Sequence, residues 1–459
     1  AFSWALVAEH RAYNSNAYDL GFFDQIIWNT AHGRWFQTSF VAYNFTGQHL
    51  EPVLLLFAAL SRFWPGVEPL LLVQATVVAW AAVPLYLAAR RLFASTTAAL
   101  AVGVAYLLAP HLHSAVLDDF HPEVMGAAGI FGALAFLLAG RPGWGLVALG
   151  SLFLLKEDVA LAGAGFATIF WLRGYRRHSV WLLLTSVLYL VLIVGVLMTV
   201  IRGGAGNDLL GRYAYLVPGA STGPGRLVEF PRSALSQLTG AGQIGGLVSL
   251  LAPLVFLPLA GPAVLAALPV LAANLFASHG PQSALTAHYG AVPFALLLVA
   301  ALLGIDALAR SRRLERIWVS LHVAVPHRSV VLAGALLLGQ ALAFLLTSPL
   351  GLHYTPAQYQ QTAHTDAVTQ VLRAIPQDAP VSAQSGLLPH LSERRQVQEF
   401  PRLRDAAYVV VDQKAWRSSQ SVAAGYDLIL KLLPQAGFCQ SLEQDGVVLY
   451  SNRHACASQ

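Results

Sequence analysis

Residues 179–201, SVWLLLTSVLYLVLIVGVLMTVI, form an apolar stretch that contains no charged side chain. A helix needs about 20 apolar residues to cross a hydrocarbon core of roughly 30 Å. By the same criterion, further spans are predicted at 66–89, 96–113, 123–140, 142–155, 158–172, 245–260, 262–277, 289–309 and 329–347. The residues before Ala8 are interpreted as the end of a truncated first membrane helix rather than a signal peptide. The sequence therefore predicts a mainly α, polytopic α-helical membrane protein of about 11 spans.

The composition supports this class. The 459-residue chain is 56% hydrophobic and only 11% charged, and its mean hydropathy is +0.57. Soluble domains usually carry about 25% charged residues, so a soluble globular enzyme, a disordered chain and a nucleic-acid-binding protein are excluded. The formal net charge of +5 is spread over short loops, which is typical of topology signals rather than of a polyanionic partner. The lipid bilayer is the expected surrounding, and no nucleic acid is expected to bind.

The arginines allow the two sides of the membrane to be assigned. If the first helix leaves the cytoplasm, the cytoplasmic ends hold the arginine clusters at 90–91, 141, 173–177 and 310–316. The other side receives the loops 9–65, 114–122, 156–157, 202–244 and 278–288 and everything after 348. The loop 202–244 is an exception, because it carries arginines on the outer side. The apolar segment 52–64, in the first outer loop, is too short to cross and predicts an interfacial or half-inserted helix.

The composition changes after Ser348, which divides the chain into a predicted transmembrane domain, 1–347, and a small α/β domain, 348–459, on the non-cytoplasmic side. The predicted elements of this domain are helices at 364–375 and 424–433, strands at 381–383 and 408–411, and strands at 438–440 and 447–450 that pair around an Asp445-Gly446 turn. Cys439 and Cys456 could bridge in an oxidising compartment, or remain two unpaired small residues.

Polar side chains at membrane depth cost several kcal/mol unless they are paired or hydrated, and here they gather in short strings at predicted outer helix ends. The first string is YDLGFFDQ, 18–25. It predicts a short helix along the membrane surface, with Leu20, Phe23 and Ile27 on one apolar stripe and Asp24 off it. Asp19 is either a catalytic carboxylate at the membrane boundary or the N-cap of this helix.

Two further strings combine histidines with carboxylates. NFTGQHLEP, 44–52, contains His49 and Glu51, which could orient a substrate or bind a cation, or could cap the next helix. DDFHPE, 118–123, contains Asp119, His121 and Glu123. Oxygen and imidazole ligands suit divalent cations, but no fixed metal-binding spacing is present. The string 118–123 is therefore interpreted either as a metal site or as the polar lining of an outer cavity.

The remaining strings are charged or aromatic. Lys156, Glu157 and Asp158 lie between two apolar spans. They are interpreted either as a functional or structural network of charges or as a plain short loop. Arginine side chains bind phosphate through two hydrogen bonds, so the arginines of the loop 202–244 could hold a lipid phosphate, or contact lipid head groups or the tail domain. The candidates in this loop and at the outer helix end that follows are Arg202, Arg212, Arg226, Arg232, His288 and Tyr289.

Together with QHLEP at 48–52, the strings at 18–25, 119–123 and 156–158 resemble the motifs of a bacterial and archaeal family of predicted membrane proteins of unknown function. Segments of the tail, including PHLSER at 389–394, also match its pattern, so the resemblance covers nearly the whole chain. That family is grouped with the GT-C glycosyltransferase superfamily, whose members use polyprenyl-phosphate sugars. An acidic residue of the first outer loop is catalytic there, and by position it corresponds to Asp19, with Asp24 as the second choice because the adjacent acids common in the superfamily are absent.

The resemblance implies a membrane glycosyltransferase that transfers a sugar from a polyprenyl-phosphate donor to an unknown acceptor, which could be a glycan, a lipid or a protein. The polar strings would bind the substrate, and a divalent cation is the one cofactor that they allow. A transporter or flippase is an alternative, but it needs polar groups on both faces or at mid-depth. A non-catalytic protein that binds a lipid-linked sugar is a further alternative.

Overall fold

In a computed structural model of the chain, residues 1–204, 208–216, 225–416 and 420–452 are described. The chain forms two compact units. The sheet unit comprises Ala1–Phe45, Val53–Val73 and Thr355–Gln459, and the helical unit comprises Thr46–Pro52 and Gln74–Tyr354. Cys456 lies outside the described residues, so its pairing with Cys439 stays a prediction.

The helices in both units are short where glycine and proline are frequent. In chain order, they are Phe2–Arg11, Ala17–Gly21 (a π-helical turn), Phe22–Ala31, Leu54–Ser61, Glu68–Trp80, Ala82–Phe93, Thr96–Leu107, Pro110–Val116, Gly126–Leu138, Pro142–Gly150, Ala160–Leu172, Arg176–Leu190, Val191–Leu197 (π-helical), Met198–Ile201, Asp208–Gly211, Gly225–Leu238, Ala241–Leu251, Leu268–Leu275, Gly280–Ser283, Ala291–Ala309, Glu315–Ser320, Arg328–Thr347, Ala363–Arg373, Gln413–Trp416 and Gln420–Leu432. Between them lie single turns of 3₁₀-helix, among them Pro122–Met125, Ser151–Leu154, Glu157–Val159, Leu257–Ala260, Pro262–Ala267, Ala287–Gly290, Pro356–Tyr359 and Ser385–His390.

Within the described ranges, four helical segments are long and apolar enough to cross a membrane: Glu68–Phe93, Arg176–Ile201, Gly280–Ala309 and Val325–Thr347. A fifth crossing results if Thr96–Leu107 and Pro110–Val116, bent by 43°, count as one span. The other predicted spans correspond to shorter apolar helices, such as Pro122–Leu138 and Pro142–Leu154. The helical membrane class is therefore confirmed, whereas the number of about 11 spans stays a prediction.

Proline explains why several predicted spans are interrupted, because it removes a backbone donor and clashes with the preceding turn. Pro110 begins a new helix after the bend in the predicted span 96–113. In the predicted span 245–260, the helix Ala241–Leu251 ends before Pro253, and Val255 and Phe256 adopt φ values of 52° and 53°. Apolar length alone therefore predicted the position of these segments but not their continuity.

The sheet unit contains a five-stranded sheet. Its strands are β1 Val381–Ala383, β2 Val397–Glu399, β3 Tyr408–Asp412, β4 Phe438–Gln444 and β5 Val447–Asn452. The spatial order is β2-β1-β3-β5-β4, with β1 parallel to both of its neighbours and β5 antiparallel to β3 and β4. The helix predicted at 364–375, the strands at 381–383 and 408–411 and the terminal hairpin are confirmed, whereas β2 was missed.

Apolar side chains on this sheet and on the helix Gln420–Leu432 form the core of the sheet unit. Phe400, Val409, Val411, Phe438 and Val448 are buried in it. Consecutive residues of β3 and β5 are buried, so these two central strands are covered on both faces. The tail motif 389–394 lies in the segment that joins β1 to β2.

The short helix predicted from the first string is confirmed at Phe22–Ala31, and it ends as expected before Gly33, which has a φ of 80°. The apolar stripe is buried as predicted, but burial is not confined to it. Asp24 and Gln25 are buried together with the apolar stripe, with exposed fractions of 2% and 0%. The helix is therefore enclosed on nearly all sides within its unit, and its polar side chains have partners there.

Candidate functional site

The helical unit contains a buried ion pair that joins two of the predicted strings. Lys156 Nζ lies 2.6 Å from Glu123 Oε1, and both side chains are at most 10% exposed. The backbone of Lys156 is extended. This residue separates the helical turns Ser151–Leu154 and Glu157–Val159, so its side chain points away from both. Although burial disfavours the charged lysine, Glu123, Asp158 and two further carboxylates raise the pKa of Lys156.

A second pair joins Glu157 to the string at 44–52. Glu157 is fully buried, and its carboxylate accepts from His49 Nδ1 at 2.8 Å and from the backbone N–H of Leu50 at 2.9 Å. Burial would raise the pKa of Glu157, but the contacts with His49 and Lys156 lower it overall. The charged residues 156–158 therefore form a network rather than a plain solvated loop.

Glu51 has a different environment. Its side chain is fully buried, and neither carboxylate oxygen has a hydrogen-bond partner among the described residues. Burial, with the nearby charge of Glu123, raises the pKa of Glu51 well above its usual value, and Lys156 only partly opposes this. An acceptor of this kind can receive hydrogen bonds from a ligand or hold a proton.

A further cluster combines Asp118 with two histidines. His288 Nδ1 lies 2.7 Å from Asp118 Oδ2, and the rings of His121 and His288 stack with centroids 3.7 Å apart. One ligand atom from each of Asp118, His121 and His288 lies within 4.8 Å of the others. One carboxylate and two imidazoles are a donor set that fits a divalent transition-metal ion.

The backbone of this turn explains why Asp118 and not Asp119 meets His288. Asp119 has a φ of 59°, a left-handed conformation that reverses the chain direction. Gln74 holds the turn, because its amide donates to the carbonyl of Asp119 at 2.7 Å and accepts from the N–H of His121 at 2.8 Å. The sequence placed both aspartates in one string, but the choice between them depends on this turn.

Two cavities lie in the helical unit, and the first of them is lined by some of these groups. The first, of about 30 Å³, is lined by Glu123, Lys156, Asp158, His288 and Tyr289 and joins residues from three of the predicted strings. The second is a groove of about 550 Å³, in which most lining residues are apolar. It runs along Pro110–Val116, the helix Ala241–Leu251 and the last turns of Arg328–Thr347.

The arginines of the loop 202–244 have protein partners. Arg202 forms two hydrogen bonds with Asp208, at 2.7 and 3.1 Å. Arg212 donates to Gln282 at 2.5 Å, Gln282 bonds to Asn274, and Asn274 donates to the carbonyl of Tyr289. This chain of hydrogen bonds connects Arg212 to the wall of the smaller cavity.

Arg232 is exposed, and the side chain of Arg226 lies outside the described residues.

In the sheet unit, Asp19 lies in the π-helical turn Ala17–Gly21, and Asn16 precedes that turn as its cap. The N-cap prediction for Asp19 is therefore wrong, because the helical backbone begins before this residue. Asp24 Oδ2 accepts from Ser392 Oγ at 2.6 Å. Burial, with a further contribution from Glu393, raises the pKa of Asp24 to about 8.

The structure thus distributes the predicted site residues over two units. Asp19 and Asp24 belong to the sheet unit. The helical unit brings together residues from four separate strings, namely His49, Glu51, Asp119, His121, Glu123, Lys156, Glu157, Asp158, His288 and Tyr289. Sequence reasoning missed Gln74, Asn274 and Ser392 as partners. Of these three residues, only Ser392 could have been found from the sequence, because it belongs to the tail motif 389–394.

The fold is similar to that of two solved structures of ArnT from Cupriavidus metallidurans. The structure bound to undecaprenyl phosphate has a TM-score of 0.52 and 16% identity, and the apo structure has 0.51 and 14%. Each comparison covers 98% of this chain and 96% of that chain. The archaeal oligosaccharyltransferase AglB from Archaeoglobus fulgidus has a TM-score of 0.44 and 14% identity, over 98% of this chain and 74% of AglB, and no argument rests on it.

No curated protein matches the sequence. A family model described as "Predicted membrane protein (DUF2079)" matches residues 9–449. The family expected from the motifs is thereby confirmed. On this match, the chain belongs to the DUF2079 family of membrane proteins.

Proposed function

We propose that this protein is a GT-C-type glycosyltransferase that moves a sugar from a polyprenyl-phosphate donor to an acceptor on the outer face of the membrane. The observation that carries the proposal is the buried network of Glu51, Glu123, Lys156 and Glu157 inside a helical unit whose buried residues are mostly apolar. Such groups are costly at this location and mark functional sites by default. The fold supports the same class of ligand, because ArnT binds undecaprenyl phosphate in its solved structure.

The apolar groove of the helical unit suits the prenyl chain of the donor. Its volume of about 550 Å³ and its apolar lining provide space for part of a hydrocarbon chain. Burial of such a chain contributes about 0.8 kcal/mol for each CH₂ group. The donor would therefore be held largely through its lipid, which leaves the polar cluster free to orient the phosphate and the sugar.

In this proposal, some of the polar groups bind the phosphate of the donor and others bind its sugar. Arg202 and Arg212 hold the phosphate, since guanidinium groups match phosphate oxygens. Glu51 and Asp158 carry buried oxygens without hydrogen-bond partners among the described residues, and these accept from sugar hydroxyls. The groups that position them are His49, Asp119, His121, Glu123, Lys156, Glu157, His288 and Tyr289. Asp118, His121 and His288 would hold a divalent cation, whose positive charge would stabilise a phosphate leaving group.

Asp19 is the proposed base that takes the proton of the acceptor hydroxyl as this oxygen attacks the anomeric carbon. A well-placed general base contributes about 10²–10⁴-fold to a rate. Asp24 is the second choice, and its raised pKa makes it a poorer proton acceptor at neutral pH. We include the predicted membrane topology in this proposal. It has about 11 spans and the domain 348–459 on the outer side.

A transfer assay tests this function. Purified protein receives radiolabelled polyprenyl-phosphate sugars together with membrane extract, and transfer by the wild type is compared with that of Asp19→Asn. We expect the substitution to reduce transfer by about 10²–10⁴-fold, with little change in thermal stability because Asn preserves the shape of the side chain. The matched control is Asp405→Asn, at an exposed position of the same unit, which should transfer normally.

Other outcomes would change the assignment. Equal transfer by wild type and Asp19→Asn would remove Asp19 from the role of base. Donor binding without turnover, unaffected by Asp19→Asn, would favour the non-catalytic binding protein. Substrate that crosses a vesicle membrane without chemical change would favour the transporter.

A further inference from the structure

The sheet unit has a polar cavity of its own, of about 310 Å³. It lies where the start of the tail motif meets residues from the first outer loop. Its walls include Asp24, Trp64, Gly66, His390 and Glu393. The volume is ample for a small polar head group, since a single water occupies only about 30 Å³ of liquid.

Two carboxyl groups dominate the charge of this cavity. Asp24 accepts from Ser392 Oγ at 2.6 Å, and Glu393 accepts from the backbone N–H of Gly66 at 2.8 Å. Neither carboxyl forms an ion pair with a lysine or arginine among the described residues. Asp24 is 2% exposed, so an ionised Asp24 carboxylate would have little access to bulk solvent.

The other titratable groups at the cavity do not supply a compensating positive charge. The rings of His10 and His390 stack with centroids 4.0 Å apart, and burial lowers the pKa of both, that of His390 to about 4. Both imidazoles are therefore neutral at neutral pH. Glu68 also lines the cavity, but Arg11 pairs with it at 2.7 Å. The lining thus holds no positive charge that would balance the carboxylate of Glu393, and Asp24 beside it holds a proton that it can release.

We propose that this cavity binds a primary ammonium group, which lies between the carboxyl groups of Asp24 and Glu393 and beside the ring of Trp64. A cation satisfies both carboxylates at once, whereas a phosphate or a carboxylate ligand would be repelled. Trp64 adds an aromatic face, and indole is the best aromatic partner for cations. The proposal goes beyond glycosyl transfer and does not depend on a bound donor.

The proposal predicts proton release. In the empty cavity Asp24 keeps its proton, because burial and Glu393 raise its pKa to about 8. When an ammonium binds, the neutral Asp24 carboxyl loses its proton to solvent, and two carboxylates then face one cation. The amine is not chemically changed. Release of up to one proton for each bound amine is therefore expected at pH values below the pKa of free Asp24.

Two sources could supply the ammonium: an amino sugar, or the head group of an ethanolamine lipid. The full-length protein is placed in phosphatidylcholine nanodiscs, which contain no primary amine, and titrated by calorimetry with glucosamine, ethanolamine or glucose. Titrations at about pH 6.5 in two buffers of different ionisation enthalpy count the protons. Tighter binding of glucosamine than of ethanolamine identifies an amino sugar, and the reverse order identifies a lipid head group.

We expect an amine to bind at least tenfold more tightly than glucose and to release close to one proton. Asp24→Asn should abolish the proton release, and Glu393→Gln should weaken amine binding at least tenfold. Both variants can keep the hydrogen bonds from Ser392 and Gly66, because an amide oxygen also accepts. Glu443→Gln, at an exposed position of β4, is the matched control and should bind amines as the wild type does.

The proposal is overturned if the wild type binds neither amine, if glucose binds as tightly as glucosamine, or if binding occurs without proton release. It is also overturned if Asp24→Asn and Glu393→Gln, shown to be folded by their thermal melting, bind amines as the wild type does. Because no polyprenyl phosphate is present in these titrations, their outcome is independent of the proposed sugar transfer.

Discussion

Both units contain a network of ion pairs, but the two networks differ in how far they are buried. In the helical unit, the Lys156–Glu123 pair is buried, with side chains that are 10% and 6% exposed. In the sheet unit, His364 lies 2.8 Å from both Asp412 and Asp445. Lys414 also contacts Asp445 at an exposed position. The first network is buried in the helical unit, and the second lies where β3 ends and where β4 turns into β5.

The difference shows which of the two networks is the stronger candidate for function. Removing a charge from water costs several kcal/mol, and an ion pair offsets this only with good geometry and further hydrogen bonds. Exposed pairs cost little and contribute little. The network around Lys156 is therefore expensive to keep, particularly since Glu51 lacks hydrogen-bond partners among the described residues. A network with only a structural role would not require a buried carboxyl group without hydrogen-bond partners, whereas the binding of a polar substrate would.

The largest expected effect comes from Lys156→Met. This substitution leaves Glu123 buried without its cation, and breaking a buried pair from one side costs about 3–5 kcal/mol. Thermal or denaturant unfolding in nanodiscs measures this loss. The matched control is Lys414→Met in the sheet unit, where the lysine is exposed and no measurable change is expected. Equal losses for both variants would show that the environment does not separate the two networks.

A smaller effect on stability is expected from Glu51→Gln. Burial raises the pKa of Glu51, which favours its neutral carboxyl form, and an amide replaces this group almost isosterically. We expect the free energy of unfolding to change by less than about 1 kcal/mol, whereas sugar transfer falls at least tenfold because a sugar-binding oxygen is lost. Parallel unfolding and transfer assays on one preparation separate the two effects. A stability loss as large as that of Lys156→Met would assign Glu51 a structural role instead.

The smallest effect is a pH dependence in the sheet unit. Burial alone would lower the pKa of His364, but its hydrogen bonds with Asp412 and Asp445 raise it overall. A raised pKa in the folded state means that this contribution to stability is fully present below the unfolded value of about 6.5. It is lost as the pH rises through the folded value. Hydrogen exchange in the helix Ala363–Arg373 should therefore become faster, relative to the intrinsic rate, above that pH.

The control for this pH dependence is His364→Gln, which cannot become charged. Its exchange protection should be lower than that of the wild type at low pH and should not change across the same interval. If wild type and variant respond alike, another group titrates in this region and the assignment to His364 is wrong.

Much of the local structure followed from short-range patterns. The strand Val381–Ala383 and the pairing of Phe438–Gln444 with Val447–Asn452 were predictable because alternating apolar residues and an Asp-Gly turn act within a few residues. β2, at 397–399, was missed because it contains only one apolar residue, Val397, and depends on β1 for its hydrogen bonds. The all-round burial of Asp24 and Gln25 was missed for a related reason, since their partners lie in the distant tail.

The sequence by itself determined the membrane class, the family motifs and which side chains carry charge, because hydrophobic length and residue identity are local properties of the chain. The tertiary structure alone decided that Asp118 rather than Asp119 meets His288, that Lys156 pairs with Glu123, and that Glu51 has no hydrogen-bond partner among the described residues. These outcomes depend on backbone turns and on contacts between residues far apart in the chain. Burial makes each of them energetically large, and burial exists only once the helices have packed.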